Sequence, residues 1–477
     1  MPHHMPRRAK LAVAILGLLF AGNADAQPPR DYRNDAQFQE HLQKLAEWEF
    51  IHLSSLGETA AGRPVSLLTV GAGDVDSKPA VLVVGSVQAE SLVGSHLATQ
   101  IAAGLAKPPK DGARSVLEDV TFYIIPRPSP DACERVFQEP YHATGANHRP
   151  SDDDRDGDID EDPGEDLNGD GWITLMRVKD EAGEYFPHPD EPRLLIKADP
   201  AKGERGQYRL LTEGVDNDGD ERWNEDGVGG VDFNRNFTYA YPYFKPGAGP
   251  HQVSEPETRA VADFAYNHPN IFLVFSFAPQ DNLNHPWKAK SGGGRIKRGV
   301  QGSDAKYLAT LAKDYRRATG AKDATPAADG PGAFVPWAYH HYGRWSVAAQ
   351  GWWPPKTKPA KPEKPESNAK DSTNESKDSA PAEKKPSNKK PDSRAEQGRR
   401  RLAWLDAKGV EGFVLWTVIE HPDFPGKTVE VGGFKPGVAT HPPAASLSAK
   451  GLVNFLSSVA KRRARIEVLS TEAVDLG

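Results

Sequence analysis

The chain has one cysteine, Cys133, among its 477 residues. A single thiol cannot form an intramolecular disulfide, and it excludes Cys-based zinc fingers and iron–sulfur clusters. Any bound metal must therefore be held by oxygen or histidine. Positive charge is also in deficit, because 59 Lys and Arg stand against 66 Asp and Glu, for a formal net charge of -7. This acidic balance argues against nucleic acid as a partner.

The chain also has little apolar sequence of membrane-spanning length. The apolar run over residues 11–22 follows three basic residues and precedes Ala24 and Ala26. A dozen residues fall short of the roughly 20 that a transmembrane helix needs, whereas this order of segments is typical of a secretory signal. We therefore expect residues 1–26 to be a signal peptide and the mature protein to be secreted or periplasmic, without a membrane span.

A second stretch, residues 354–396, has no aromatic residue and no Val, Ile, Leu or Met. Such a composition cannot bury enough apolar surface to become ordered, and it predicts a disordered Pro/Lys/Ser-rich insertion. Apolar and aromatic residues stand on both sides of it, such as Trp353 before and Trp404 after. The tract therefore interrupts one domain, which we expect to span residues 27–477.

In the rest of the chain, apolar runs of strand length alternate with segments of helical periodicity. The strands are predicted at residues 80–87, 120–125, 271–277, 412–418 and 428–434. The helices are predicted at about residues 92–105, 254–267, 305–319, 397–407 and 446–462. This alternation predicts an α/β domain with a central sheet that is covered on both faces.

Residues 148–230 form an acidic insertion with three loops in which oxygen-bearing side chains recur at every second position. They are Asp152, Asp154 and Asp156; Asp166, Asn168 and Asp170; and Asp216, Asp218 and Asp220. In a calcium loop, this spacing directs the oxygens of positions 1, 3 and 5 at one ion. Position 12 of an EF-hand holds a bidentate Glu, but here it holds Pro163, Arg177 and Gly227, so these loops are not EF-hands. Calcium binding is our expectation, and solvated acidic loops are the alternative.

Four segments resemble one known family. Residues 56–65 contain Gly-Arg-Pro, residues 126–132 read Pro-Arg-Pro-Ser-Pro-Asp-Ala, residues 232–237 read Asp-Phe-Asn-Arg-Asn-Phe, and residues 254–258 open a helix. Together these segments resemble the zinc carboxypeptidases, the carboxypeptidase A-like metallopeptidases, and the Asn-Arg segment is the most specific of them. The resemblance implies a three-layer α/β/α domain with a central mixed, mostly eight-stranded sheet.

The resemblance also implies a catalytic zinc that is held by His-x-x-Glu and a distant His, with a late Glu as general base. Glu90 matches the first Glu, but Val87 stands in the first His position and Ala278 in the second. Gln350 stands in the position of the general base. Valine and alanine have no lone pair to donate, and glutamine cannot accept the proton. We therefore expect that zinc is absent and that the protein is catalytically inactive.

The substrate-binding part of the family pattern is present. Asn234 and Arg235 match the pair that binds the C-terminal carboxylate of a peptide in the family, and Arg177 is a candidate for a second family Arg. A planar guanidinium suits this role because it binds a carboxylate through two hydrogen bonds. The leading hypothesis is a secreted, calcium-stabilised pseudoenzyme that binds peptide or protein C-termini. The oligomeric state is left open.

Two alternatives stand beside this hypothesis. The first is an active metallocarboxypeptidase with displaced ligands, in which another histidine or Glu420 rebuilds the site. The nearest such histidines are His96, His285, His340 and His341. The second is a calcium-stabilised interaction protein whose cleft holds no ligand. Metal content separates the first alternative from the pseudoenzyme, and ligand capture by the cleft separates the second.

Overall fold

A computed structural model describes residues 31–107, 115–142, 144–153, 155–289, 299–356, 393–438 and 441–462. The expected signal peptide at residues 1–26, the candidate calcium ligand Asp154 and most of the 354–396 tract lie outside the described residues. Over the part that is described, no helix combines the length and apolar character needed to cross a bilayer.

The described residues form eight α-helices and twelve strands. The helices are α1 (Asp35–Ala46), α2 (Val93–Ala106), α3 (Pro130–Glu134), α4 (Pro256–Asn267), α5 (Gly302–Thr319), α6 (Phe334–His340), α7 (Ser393–Lys408) and α8 (Lys450–Lys461). The strands are β1 (Ile51–Glu58), β2 (Pro64–Val70), β3 (Ala80–Val84), β4 (Thr121–Ile125), β5 (Leu175–Lys179), β6 (Tyr185–His188), β7 (Glu191–Lys197), β8 (Tyr208–Thr212), β9 (Ile271–Phe277), β10 (Trp345–Ala349), β11 (Phe413–Ile419) and β12 (Val429–Phe434). All the predicted elements are present, with boundaries that shift by a few residues.

The main sheet is mixed and has six strands in the order β1-β2-β4-β3-β9-β10. The pairs β1/β2 and β2/β4 are antiparallel, and the remaining pairs are parallel. The sequence of β3, Ala-Val-Leu-Val-Val, is buried at every position. Such a continuous apolar run is typical of a parallel strand that is covered on both faces.

Helices cover both faces of the main sheet, as predicted. Alternate side chains of β3 point to opposite faces, so that Val81 and Val83 pack in one hydrophobic cluster with α1, α2, α5 and α8. Leu82 and Val84 pack in a second cluster with α4 and α6. The carboxyl ends of β3, β9 and β10 therefore belong to a sheet that is packed against helices on both faces.

The single eight-stranded sheet of the sequence prediction is not confirmed. A second six-stranded sheet has the order β11-β12-β5-β8-β6-β7, and it joins the acidic insertion to the strands near residues 412–434. Strand β12 pairs antiparallel with β5, and Val429 stands opposite Val178. Strand β11 shows why it does not belong to the main sheet, since it leaves Leu415 and Val418 about two thirds exposed. A strand of a sheet covered on both faces would bury them.

Candidate functional site

The carboxyl ends of three parallel strands lie side by side at one edge of the main sheet, since β9 pairs with both β3 and β10. The residues that follow these strands include Val87, Ala278 and Gln350. The Val87 amide donates to the Phe277 carbonyl at 3.1 Å, and the Ala278 amide donates to the Ala349 carbonyl at 3.0 Å. Ligand sites in α/β sheets form beyond such strand ends, so the three positions meet where a site is expected.

Two of these three positions are apolar and packed. Val87 is fully buried and Ala278 nearly so, and both belong to the hydrophobic cluster between the main sheet and helices α4 and α6. Neither side chain carries a lone pair. These two positions therefore offer van der Waals contact and no metal ligand.

The third position, Gln350, is held by the loop at residues 325–326. Its Oε1 accepts a hydrogen bond from the Thr325 hydroxyl. Its Nε2 lies 3.3 Å from the Thr325 carbonyl and 3.4 Å from the Pro326 carbonyl. Its backbone amide donates to the buried Asp281. The carboxamide is thus fixed by hydrogen bonds to its neighbours, and it has no proton-accepting group that could serve as a base.

A cavity of about 180 Å³ opens beside these strand ends. Its lining includes Gln88, Ala278, Gln350, Trp352, Trp353 and Arg401. Of the described residues that line it, none carries a carboxylate or an imidazole. The Arg401 guanidinium lies 5.1 Å from the Phe434 ring, and burial lowers the pKa of Arg401. With one arginine and several amides, the cavity suits an anion better than a cation.

Glu90 lies next to Gln88 and is partly buried. Its Oε1 contacts the Gln88 amide, while its Oε2 is buried and has no hydrogen-bond partner among the described residues. Burial raises the pKa of the Glu90 carboxyl. Gly145 packs against it so closely that a Cβ at this position would lie 2.7 Å from Oε2. The one family carboxylate that the chain retains is therefore covered by backbone.

Asp232 is a second partly buried acid beside Glu90. Its Oδ1 accepts a hydrogen bond of 2.7 Å from the Asn234 amide, and it thereby caps the short 3₁₀ turn Phe233–Arg235. Burial first, and then the nearby charge of Glu90, raise the pKa of Asp232 to about 7, whereas the hydrogen bond from the Asn234 backbone amide and the charge of Arg235 oppose the shift. Two carboxyl groups and one arginine thus share a partly buried site.

Arg235 and Asn234 differ in how much of their hydrogen-bonding capacity is used. The side-chain nitrogen Nδ2 of Asn234 donates to Gln280 Oε1 at 3.1 Å, and the side-chain oxygen Oδ1 accepts from the backbone amide of Phe334 at 3.1 Å. By contrast, Arg235 Nε is buried without a hydrogen-bond partner among the described residues. Asn234 is therefore a positioning residue for the turn, and Arg235 retains donors for a ligand.

The structure does not bring Arg177 to this site. It lies in β5 of the second sheet, where it donates two hydrogen bonds to Glu430, at 2.8 and 2.9 Å. Its guanidinium stacks between the rings of Tyr208 and Trp416, at 4.8 and 4.5 Å. All of these contacts lie within or beside the second sheet, so this arginine has the surroundings of a structural ion pair.

The histidines and the acid that were considered for a rebuilt site are dispersed. His96 contacts Gln100 on its own helix, His340 stacks on Tyr239, and His341 contacts Thr238. His285 Nε2 lies 2.8 Å from the Thr325 carbonyl, which Gln350 Nε2 also contacts. Glu420 follows β11 in the second sheet. The clusters of three potential metal ligands found among the described residues contain no histidine.

The residues at this site do not fit the zinc ion that the family resemblance implies. Catalytic zinc is bound by three protein ligands of the His and Glu type, and its affinity depends on several deprotonated donors fixed together. Here two positions are hydrocarbon, the third is an amide, and the remaining carboxylate Glu90 is covered by Gly145. The donor chemistry of these side chains offers one ligand where three are needed.

The acidic loops do bring oxygen atoms together. The carboxylates of Asp216, Asp218 and Asp220 have oxygens within 4.8 Å of one another. A second group joins Asp218 to Asp156 and to Glu161, a residue that the sequence analysis did not select. In the first acidic loop, the Asp152 carboxylate accepts a hydrogen bond of 2.6 Å from the backbone amide of Arg155.

The remaining loop satisfies its own polar atoms. Asp166 accepts hydrogen bonds from the backbone amides of Asp170 and Gly171, at 3.1 and 2.7 Å. Asp170 accepts from the Asn168 side chain and from the Trp172 amide, at 3.0 and 2.9 Å. Each of these four carboxylate oxygens has a donor within the loop.

One comparison with known proteins identifies a family. A family profile described as zinc carboxypeptidase matches residues 38–184 and 206–355. No curated protein matches the sequence. Among solved structures, bovine thrombin-activatable fibrinolysis inhibitor, in complex with tick carboxypeptidase inhibitor, is 14% identical, with a TM-score of 0.37, over 67% of this chain and 86% of that chain.

Two further solved structures are similar at the same level. Carboxypeptidase A from Helicoverpa armigera is 16% identical, with a TM-score of 0.37, over 66% of this chain and 63% of that chain. A metallo-carboxypeptidase from Burkholderia cenocepacia is 12% identical, with a TM-score of 0.34, over 66% of this chain and 58% of that chain. This chain thus spans less than two thirds of these two proteins.

Proposed function

The chain belongs to the zinc carboxypeptidase family, and we propose that it is a non-hydrolytic member that binds the C-terminal carboxylate of a peptide or protein. The observation that carries the proposal is the convergence of Val87, Ala278 and Gln350 beyond the ends of β3, β9 and β10. At the edge of the sheet where the family pattern requires two imidazoles and a carboxylate, this chain presents two hydrocarbon groups and an amide.

The surroundings of Arg235 support the binding part of the proposal. A buried cationic group without a hydrogen-bonded partner is costly, because it has lost hydration that nothing replaces. Arg235 Nε is in this situation, and burial keeps the neighbouring Asp232 protonated up to about neutral pH. A ligand carboxylate supplies the missing acceptors, and charge-assisted hydrogen bonds of this kind are stronger than neutral ones.

Three further features belong to the same proposal. The protein is exported by way of a signal peptide at residues 1–26. Its single domain spans residues 27–477 and carries the acidic insertion at residues 148–230 and the polar tract at residues 354–396. Calcium, which extracellular fluids supply at concentrations that saturate weak sites, stabilises the acidic insertion.

The proposal is tested by calorimetric titration with two peptides of one sequence, one with a free C-terminal carboxylate and one with a C-terminal amide. The acid should bind more tightly by about 1.5 to 3 kcal/mol, which corresponds to about 10- to 150-fold. We expect micromolar or weaker affinity, since no metal binds the peptide carbonyl. Arg235→Ala should abolish the preference, while Arg317→Ala, which removes a largely exposed arginine of α5, should leave it unchanged.

Equal binding of acid and amide, or a preference that survives Arg235→Ala, would assign Arg235 to the structure of the protein and favour the interaction protein with an empty cleft. Elemental analysis of protein purified without added metal addresses the active alternative. One zinc ion per chain, together with carboxypeptidase turnover, would contradict the non-hydrolytic assignment.

A further inference from the structure

Two of the three acidic loops share more sequence than their first five positions. The loop that begins at Asp152 has Glu161 and Asp162 at positions 10 and 11, and the loop that begins at Asp216 has Glu225 and Asp226 at the same positions. The loop that begins at Asp166 has Leu175 and Met176 there. The first and third loops are thus copies of one pattern, and the second loop lacks its acidic end.

In the structure, the first and third loops contact each other as an antiparallel pair. Asp162 and Asp226, which both occupy position 11, form an antiparallel bridge, and the Asp162 amide donates to the Asp226 carbonyl at 3.2 Å. Each side chain also accepts from the backbone of position 2 in the other loop. Asp162 accepts from the Asn217 amide at 3.0 Å, and Asp226 accepts from the Asp153 amide at 3.1 Å. The two loops are therefore related by an approximate two-fold axis.

The glutamates at position 10 follow the same symmetry. Glu161 faces Asp226 of the other loop, and Glu225 faces Asp162. Each loop thus places one carboxylate against a carboxylate of its copy, an arrangement that repels unless a cation or a proton lies between the two.

Several oxygens in this cluster have no hydrogen-bond donor among the described residues. They are Glu161 Oε2, Glu225 Oε2 and Asp226 Oδ2, and all three atoms are shielded from solvent. Asp226 is 0% exposed as a whole residue, and the group that faces it is the Glu161 carboxyl, which supplies a donor only when a proton is shared between the two. A buried carboxylate oxygen with neither donor nor solvent is strongly unfavourable. These oxygens differ from those of Asp166 and Asp170, each of which accepts a hydrogen bond from a donor in its own loop.

The same region has the spacing that a large divalent cation needs. Ligand oxygens of Asp156, Glu161 and Asp218 lie within 4.8 Å of one another, and so do those of Asp216, Asp218 and Asp220. Oxygens at opposite sides of a calcium ion are about 5 Å apart, because each lies 2.3 to 2.6 Å from the metal. Both groups contain Asp218, so two ions would be neighbours across one shared carboxylate.

We propose that Asp156 and Glu161 of one loop, with Asp216, Asp218 and Asp220 of the other, form one paired site for two calcium ions. Glu161 and Asp218 link the loops through the metal, and this inference rests on the proposal that calcium stabilises the acidic insertion. The donors are all oxygen, which excludes a preference for zinc or copper, and the irregular arrangement of carboxylates suits calcium better than octahedral magnesium. This site is separate from the strand-end site, so its failure would leave the carboxylate-binding proposal standing, and the reverse also holds.

Calorimetric titration of the chelator-treated full chain with calcium chloride tests the proposal. We expect two calcium ions to bind at the paired loops, and Glu161→Gln and Asp218→Asn each to weaken binding by about tenfold or more, since affinity follows the number of ligand charges. Glu181→Gln removes an exposed acid of the same insertion and should bind like the original protein. Binding that is lost in Asp170→Asn but retained in Glu161→Gln would place the ion in the loop at residues 166–170 and overturn the pairing.

A second measurement does not depend on the folding of the acid variants. Trp223 lies within the loop at residues 216–226, so it should sensitise the luminescence of terbium bound there. Calcium should displace the terbium, and equimolar magnesium should not. Trp223→Phe should lose the luminescence and keep the calcium binding. Absence of both signals at millimolar metal, in protein whose circular dichroism shows it to be folded, would overturn the proposal.

Discussion

Asp232→Asn should change the pH dependence of stability in a defined direction. The folded-state pKa of Asp232 is about 7, raised from 3.8 first by burial and then by Glu90. Between these two values the native state binds more protons than the unfolded state, so this group makes the free energy of unfolding fall as pH rises from about 4 to about 7. The full penalty is present above pH 7, and it amounts to about 4 kcal/mol at most, at 1.36 kcal/mol per unit.

Asparagine removes the titration but keeps an oxygen that accepts from the Asn234 amide. The stability of the variant relative to the original protein should therefore increase by a few kcal/mol between pH 4 and pH 8. Urea unfolding at several pH values, followed by circular dichroism, measures this difference directly. Subtracting the two curves removes the contributions of the other titrating groups, except for Glu90, whose charge interacts with that of Asp232.

A matched control is Asp263→Asn, which changes an exposed residue of α4. Its unfolding curve should run parallel to that of the original protein at every pH. If the Asp232→Asn curve also ran parallel, Asp232 would be ionised in the folded state throughout this range. The account of Arg235 as an arginine that lacks an anionic partner below neutral pH would then be wrong.

Two further predictions concern the family positions and the second sheet. Val87→His with Ala278→His should recover zinc binding, and adding Gln350→Glu should give detectable carboxypeptidase turnover; a folded triple variant that binds no metal in elemental analysis would show that the positions are misassigned. Arg177→Met should lower the free energy of unfolding by about 3 to 5 kcal/mol, because it leaves Glu430 without its cation, yet leave the preference for acid over amide peptides unchanged. A loss of that preference in the titration would place Arg177 in the binding site.

Local sequence was sufficient for the part of the site that follows the strands. Apolar runs predicted β3 and β9, and parallel strands end at a common edge, so a site that joins Val87 and Ala278 could be predicted once the family resemblance had singled out these two residues. Gln350 was placed by the family resemblance alone, because no strand was predicted from the sequence where β10 lies. For Val87 and Ala278, the apolar run that predicts the strand lies within a few residues of the site residue.

Contacts between distant segments could not be predicted in this way. The pairing of β5 with β12 gives no local signal, and Arg177 shows no sign in its own neighbourhood that Glu430 is its partner. Glu161 and Glu225 were missed for another reason. The calcium-loop pattern is defined by its first five positions and by position 12. The repeated Glu-Asp at positions 10 and 11 lies outside that pattern, although it is visible in the sequence.

The second sheet has a consequence for how the chain is made. Arg177 and Glu430, which pair across β5 and β12, are 253 residues apart in the sequence. During synthesis, β5 therefore emerges long before the strand that completes its edge, and Met176 and Val178, which are buried in the finished protein, lack that neighbour for most of the process. Open strand edges of this kind recruit other chains. A ribosome that stops before β11 would release a product whose insertion is competent to aggregate, so intact synthesis of the C-terminal segment protects a part of the protein made much earlier.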